Sequence, residues 1–318
     1  MGSVDRPDQP DEPGRAEHAS ADGAERLTPK SRDLPDPDER GKAYEAVRAH
    51  VSAETPDEAS PGREPDRSEQ RSYWDKVPRF QDMWADHERR WPDRQSAEKP
   101  DVTAPESGSY RSRSGFELKP ERHAETVEAI GRIREAEPTI SADMQTIEKE
   151  NTYGGWLAGF DRHIKGDDRL KEKVAEQAAA EPDEPSATIL RKIPDALRYT
   201  SCFEPHDYTQ GYYDVKSRLE SLGHEMYQST NYWADSEYKG INTRWATLQG
   251  QRFEVQFHTP ESFHAKEAIT HRAYERIRDL TTTRPELRDL HAFQREVSSH
   301  IQIPDGAPHI PNFKKEGF

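Results

Sequence analysis

The stretch QGQRFEVQFHTPES, residues 249–262, decides how this chain folds. Within it Phe253, Val255 and Phe257 alternate with Glu254, Gln256 and His258. Period-two alternation marks a β-strand that buries one face against a core. Its other face then presents a carboxylate, an amide and an imidazole side by side. GINTRWATL (240–248) reads as the preceding strand, joined through the short polar QGQ as a hairpin. Downstream, Thr259 is placed to cap a helix and Pro260 to begin it, and the helix is expected to run to about Asp279.

Further out, PDALRYTSCF (194–203) alternates Leu197, Tyr199, Ser201 and Phe203 as a strand, and HEMYQSTNYW (224–233) reads as another. Between them GYYDVKSRLESLG (211–223) is an amphipathic helix, carrying Val215, Leu219 and Leu222 and stopped by Gly223. ERHAETVEAIGRIREAE (121–137) sets Val127, Ile130 and Ile133 at helical intervals, with Pro138 expected to close the helix. Residues 150–181 read as helix, basic loop, helix, and PELRDLHAFQREVSSHI (285–301) as one more helix. No internal repeat is visible. The order gives an α+β class: a mixed, mainly antiparallel sheet of about five strands flanked by helices over residues 120–303.

Only 31% of the 318 residues are hydrophobic, against 34% charged, too few apolar groups for one fully packed chain of this length. The deficit is local. Residues 1–72 have Tyr44 as their one aromatic and contain no Ile or Phe, and 13 of the 24 prolines fall in the first 110 residues. Residues 1–72 are therefore expected to be disordered. Within 73–119 the segment SYWDKVPRFQDMWADHERRWP (72–92) is expected to dock on the main domain as a short helix, interrupted at Pro78, because exposed tryptophans would form a costly patch. Residues 304–318 form a C-terminal tail. The net charge of -15 argues against indiscriminate coating of nucleic acid, and the single Cys202 excludes an intramolecular disulfide. The first ten residues lack an apolar leader core, and no run approaches a membrane span, so a soluble protein with no membrane partner is expected.

Asp195 and Glu254, placed on neighbouring strands, are hard oxygen ligands of the kind that hold Mg²⁺ with nucleotide phosphates. Lys165 and Lys173, with Arg162, Arg169 and Lys171 around them, form a cluster able to neutralise a triphosphate. Tyr238 offers a ring for a base to stack on.

In order, HIKGDDRLKEK (163–173), IPDALRYT (193–200), EYKGIN (237–242) and FEVQFHT (253–259) resemble the RelA/SpoT-type synthetase domain, which makes (p)ppGpp alarmones. The resemblance covers about residues 150–280, and the strand 253–259 is its most specific element. It implies that fold, and a pyrophosphokinase that moves the β,γ-pyrophosphate of ATP to the 3′-hydroxyl of a guanosine nucleotide with Mg²⁺. Asp195 and Glu254 match the metal ligands and Gln256 the glutamine beside them. Lys165 and Lys173 match the ATP-site lysines, with Arg162, Arg169 and Arg198 assisting. Tyr238 matches the base stacker, with Lys239, Asn242 and His258 on the acceptor side. His163, Arg169, Asn242 and His258 depart from the family pattern, and these changes bear on the acceptor more than on the fold. Resemblance to the toxin members of the family implies an alternative acceptor, an adenosine nucleotide or the 3′ end of tRNA. The resemblance implies a cytoplasmic setting, leaves delivery as a secreted toxin open, and leaves open both a homo-oligomer and a protein partner for the N-terminal segment. No hydrolase module is recognisable, the only His-Asp pair being His206-Asp207 in a loop.

Two rivals are open to test. His264, Glu267 and His271 share a helix face near His258, a spacing suited to a metal hydrolase. A non-catalytic nucleotide-binding module would account for the substituted motif positions.

Overall fold

The computed structural model describes residues 67–92, 107–112, 115–279 and 281–316. Helix α1 (Arg67–Arg90) precedes a small hairpin, β1 (Tyr110–Arg111) and β2 (Glu117–Leu118), and then α2 (Pro120–Glu150). After β3 (Trp156–Leu157) come α3 (Asp167–Ala180), α4 (Ser186–Lys192) and β4 (Arg198–Cys202). Helix α5 (Tyr208–Ser221) leads into β5 (Glu225–Asn231), β6 (Ile241–Ala246) and β7 (Arg252–His258). A broken helix, α6 (Pro260–His264) and α7 (His271–Ile277), precedes α8 (Arg284–Ser299) and β8 (Phe313–Lys314).

The main sheet has six strands in the order β3-β4-β7-β6-β5-β8. Only β4 and β7 run parallel; every other pair is antiparallel. This is the mixed α+β architecture read from the sequence, with two-residue strands at both edges. The register aligns Arg198, Thr200 and Cys202 with Glu254, Gln256 and His258, and sets Asn242 and Arg244 opposite Gln256 and Glu254. Alternation then puts Phe253, Val255 and Phe257 on the other face, where all three are fully buried. There Tyr199 meets Phe253 and Tyr212 of α5 meets Phe257, both edge-on. Burying each such side chain stabilises the fold by roughly 1.5–3 kcal/mol, which fixes the register and so the polar face.

Several expectations are corrected. Pro138 does not close its helix: α2 runs through it for 31 residues. Ile140, Met144 and Ile147 continue the buried face begun by Ile130 and Ile133, and that packing outweighs the break. Val127, expected on the buried face, is 47% exposed, and Thr126 and Ala129 are buried instead. Residues 151–163, expected as helix, form turns, β3 and a 3-10 turn at Phe160–Arg162; Gly154 and Gly159 have positive φ, which favours a turn. The helix after Thr259 is not continuous. Thr259 caps it as expected, and Ser262 completes a capping box, but Ala265–Ile269 is a π turn closed by Thr270 N–H donating to the Ala265 carbonyl at 2.8 Å.

The expected disordered segment lies outside the described residues except for 67–72, which open α1. Helix α1 runs through Pro78 and docks as expected: Tyr73 and Phe80 are fully buried, Trp84 packs on Phe293, and Arg90 and Trp91 bond Asp289. No helix among the described residues is long and apolar enough to cross a membrane.

Candidate active site

Asp195 lies in the turn before β4 rather than on the strand itself. Its place is set by the backbone: Lys165 N–H donates to Ala196 O at 3.0 Å, Arg198 N–H to His163 O at 2.7 Å, and Ile164 bridges Leu197. That pairing brings Lys165 Nζ to 2.8 Å from Asp195 Oδ2. Burial pushes the Asp195 carboxyl up, but Lys165, Lys173 and Arg198 outweigh it and hold it well below the carboxylate range. Burial lowers the Lys165 ammonium, and Asp195 opposes that shift.

Glu254 is buried on the polar face, beside Arg198 on β4 and Arg244 on β6. Burial raises its carboxyl, Arg198 opposes the rise, and the negative Asp195 adds to it. The two carboxylates thus feel each other, as two ligands of one cation would. Arg198 is enclosed, and although burial disfavours its charge, Glu267, Glu254 and Asp195 together hold it charged.

The π turn supplies two residues that the sequence reading did not assign to the nucleotide site. Lys266 Nζ donates to Gln256 Oε1 at 2.7 Å and lies 2.8 Å from Glu267 Oε1. Burial lowers the Lys266 ammonium; Glu267, despite its own burial, is held low by Lys266 and Arg198. Arg244 is the third unassigned residue, donating to Gln228 Oε1 at 3.0 Å. Strand register could have revealed Arg244, opposite Glu254. Lys266 and Glu267 carry no such signal, because a regular helix would have placed them differently. Widened turns of this kind occur often at functional sites.

On the acceptor side, the Tyr238 hydroxyl donates to Asn242 Oδ1 at 2.9 Å and lies 3.0 Å from His258 Nε2. Tyr232 and His258 meet the Tyr238 ring edge-on. Gly240 makes this approach feasible: with φ at 150°, an added Cβ would come within 2.8 Å of His258 Cε1. His258 is fully buried, bonded through Nδ1 to Ser262 Oγ at 2.9 Å, and burial pushes its imidazole well down. It therefore stands as a neutral support for the Tyr238 hydroxyl. Lys239 is held in the same segment. Its buried ammonium donates to the carbonyls of Trp233 and Asp235 and closes the loop before β6.

Lys173 and Arg169 both lie half-buried on α3, with the charge of Lys173 reaching Asp195. Arg162 is half-exposed, 3.7 Å from Asp161. His163 is held elsewhere, stacked between Phe160 and Tyr199 and 2.6 Å from Glu137.

Among the described residues, no three or more His, Cys, Asp or Glu side chains converge as a metal cage. His264 is covered by α1, bonded to the Tyr73 hydroxyl at 2.9 Å and lowered to about 3 by burial, while His271 pairs with Glu275. The hydrolase constellation does not assemble. Asp195 and Glu254 instead fit Mg²⁺, which takes one or two carboxylates and completes its shell with phosphate oxygens and water.

No protein-family model and no curated protein matches the sequence. Solved structures are similar at low identity. The type VI effector Tas1, crystallised with its immunity protein, is 21% identical over 55% of this chain and 95% of that chain, with a TM-score of 0.40. Small alarmone synthetase 1 from Bacillus subtilis, bound to its product pppGpp, is 14% identical over 53% of this chain and 87% of that chain, at 0.36. The protein smu.1046c from Streptococcus mutans is 12% identical over 54% and 87%, at 0.35. At these scores the likenesses carry no part of the functional argument.

Proposed function

We propose that the chain is an ATP-dependent pyrophosphokinase acting on a nucleotide, with a 3′-hydroxyl of a guanosine nucleotide as the first candidate acceptor. One observation carries the reading: Asp195, in the turn leading into β4, and Glu254, on its parallel neighbour β7, share the charge of Arg198, with Lys165 and Lys173 also acting on Asp195. The resemblance of 163–173, 193–200, 237–242 and 253–259 to the alarmone synthetases supports the same reading.

The acceptor oxygen attacks the β-phosphorus of ATP, the bond from that phosphorus to the α-phosphate oxygen breaks, and AMP leaves. Mg²⁺ held by the two carboxylates supplies neutralisation of phosphate charge. Lys165 and Lys173 bind the triphosphate oxygens, and Arg198 steadies the carboxylates from beneath. Such positioning and charge stabilisation account for most of catalysis in phosphoryl-type transfer. Gln256, with its amide oxygen taken by Lys266, gives its N–H₂ group to Glu254 and so fixes that carboxylate for its role. The hydroxyl proton would pass to an oxygen of Glu254 that the cation leaves free. Tyr238 offers its ring to the acceptor base, a contact worth about 1–3 kcal/mol and tolerant of base identity.

The test is incubation of ATP labelled in its β-phosphate with GDP, GTP, ADP, ATP or tRNA. The expected result is AMP together with a pyrophosphorylated acceptor. Asp195→Asn and Glu254→Gln should each abolish it while the melting temperature shows the fold retained. Formation of ADP in place of AMP with every acceptor would overturn the reading.

A further inference from the structure

We infer that Lys165 is the resting counter-ion of Asp195, closing that carboxylate to free divalent cations and yielding it only when a triphosphate arrives. The inference rests on the cation-and-nucleotide reading of the site given above.

Lys165 and Asp195 are not a chance surface pair. The short antiparallel pairing of 163–165 with 196–198 fixes both backbones, and the 2.8 Å contact has side-chain exposures of only 15% and 25%. A pair this enclosed is weakly screened. Lys173 and Arg198 add positive potential at the same carboxylate. Glu254 is already countered by Arg198, and Glu267 by Lys266 and Arg198. Around the site, Lys165, Lys173, Arg198 and Lys266 thus face Asp195, Glu254 and Glu267, an excess of positive charge. A lone divalent cation would have to displace an ammonium and then sit among the remaining cations.

A triphosphate reverses that balance. It carries several negative oxygens, and lysine is a point charge on a flexible stem that can leave a carboxylate for a phosphate. When Lys165 makes that move, Asp195 is bared as the metal arrives on the same nucleotide. Metal and nucleotide therefore bind with positive coupling, and each must raise the affinity for the other by the same factor.

The experiment is a titration of the full-length protein with Mn²⁺, followed by electron paramagnetic resonance of the free ion. It compares wild type, Lys165→Met and the double variant Lys165→Met/Asp195→Asn. Without nucleotide, Lys165→Met should bind Mn²⁺ about tenfold or more tightly than wild type, and the double variant should lose that gain. With α,β-methylene ATP, wild type should gain Mn²⁺ affinity by more than Lys165→Met does. Equal Mn²⁺ affinity of wild type and Lys165→Met without nucleotide would overturn the inference, and so would a gain that survives in the double variant. If circular dichroism finds Lys165→Met unfolded, Lys165→Gln takes its place under the same criteria. Turnover plays no part in the titration, so a protein that forms no AMP can still show the gain, and the two ideas fail separately.

Discussion

Lys266 is the residue on which the polar face turns, since it decides which way Gln256 points. Replacing it with Met removes the bond that holds the Gln256 amide oxygen and leaves Glu267 to Arg198. Turnover should fall by about 10²-fold or more, while the affinity for ATP, which we propose Lys165 and Lys173 provide, changes little. Equal losses in Lys266→Met turnover and ATP affinity, read by single-turnover kinetics and calorimetry, would contradict that assignment. A second buried group sets a pH dependence. Glu172 and Glu176, one turn apart on α3, each keep an oxygen without a hydrogen-bond partner among the described residues. Burial first, and the charge of Glu172 second, raise Glu176 to about 8. A raised carboxyl contributes stability that is whole below its unfolded value near 4.5 and is lost as pH climbs through about 8. Glu176→Gln has no proton to lose, so relative to wild type it should gain stability from pH 5 to pH 8, at up to about 1.4 kcal/mol per pH unit. Urea midpoints at the two pH values check this, and a constant difference would refute it.

At the scale of elements, strand β7 was legible because its alternation and its cap lie within one stretch of sequence. The same holds for β4 and β5, whose β-branched and aromatic residues alternate between turn signals. What was not legible came from context. Pro138 reads locally as a stop, and only the buried run from Ile140 to Ile147 shows that the helix continues. Because Pro138 is exposed, Pro138→Ala removes no packing and restores a backbone donor. It should stabilise the protein by about 1–2 kcal/mol, the helix-propensity gain less the looser unfolded chain. An unchanged or lower thermal midpoint would show that α2 depends on the proline. Lys266 and Glu267 were missed for a related reason. Their position depends on the helix leaving its regular repeat after His264, and no residue between 260 and 269 announces that departure. The depth of His258 and Lys239 was not legible either, because it depends on the elements that close over them.

Across the whole molecule, α1 reaches from the N-terminal side to the broken helix that carries Lys266. Tyr73 and Trp74 meet His264, Phe80 meets His300, and Arg79 pairs with Glu296. Phe80→Ala should cost about 3–5 kcal/mol of docking energy. Amide exchange should then rise in α1 and in 264–269 together, with the central strands unchanged; exchange rising in α1 alone would show that the two segments are independent. The π turn itself has a further consequence, which is one of angular phase. Each helical residue advances about 100° around its axis, so a single extra residue within Ala265–Ile269 resets the direction of everything after it. Deleting Ala268 would yield a smoother helix and keep Lys266 and Glu267, yet Ala273, now fully buried, would rotate away from the core and the exposed Tyr274 would turn with it. The alignment of Lys266 and Glu267 with the helix that follows them is therefore a matter of residue count, and the loss of one residue between them and His271 would undo it while both side chains remained.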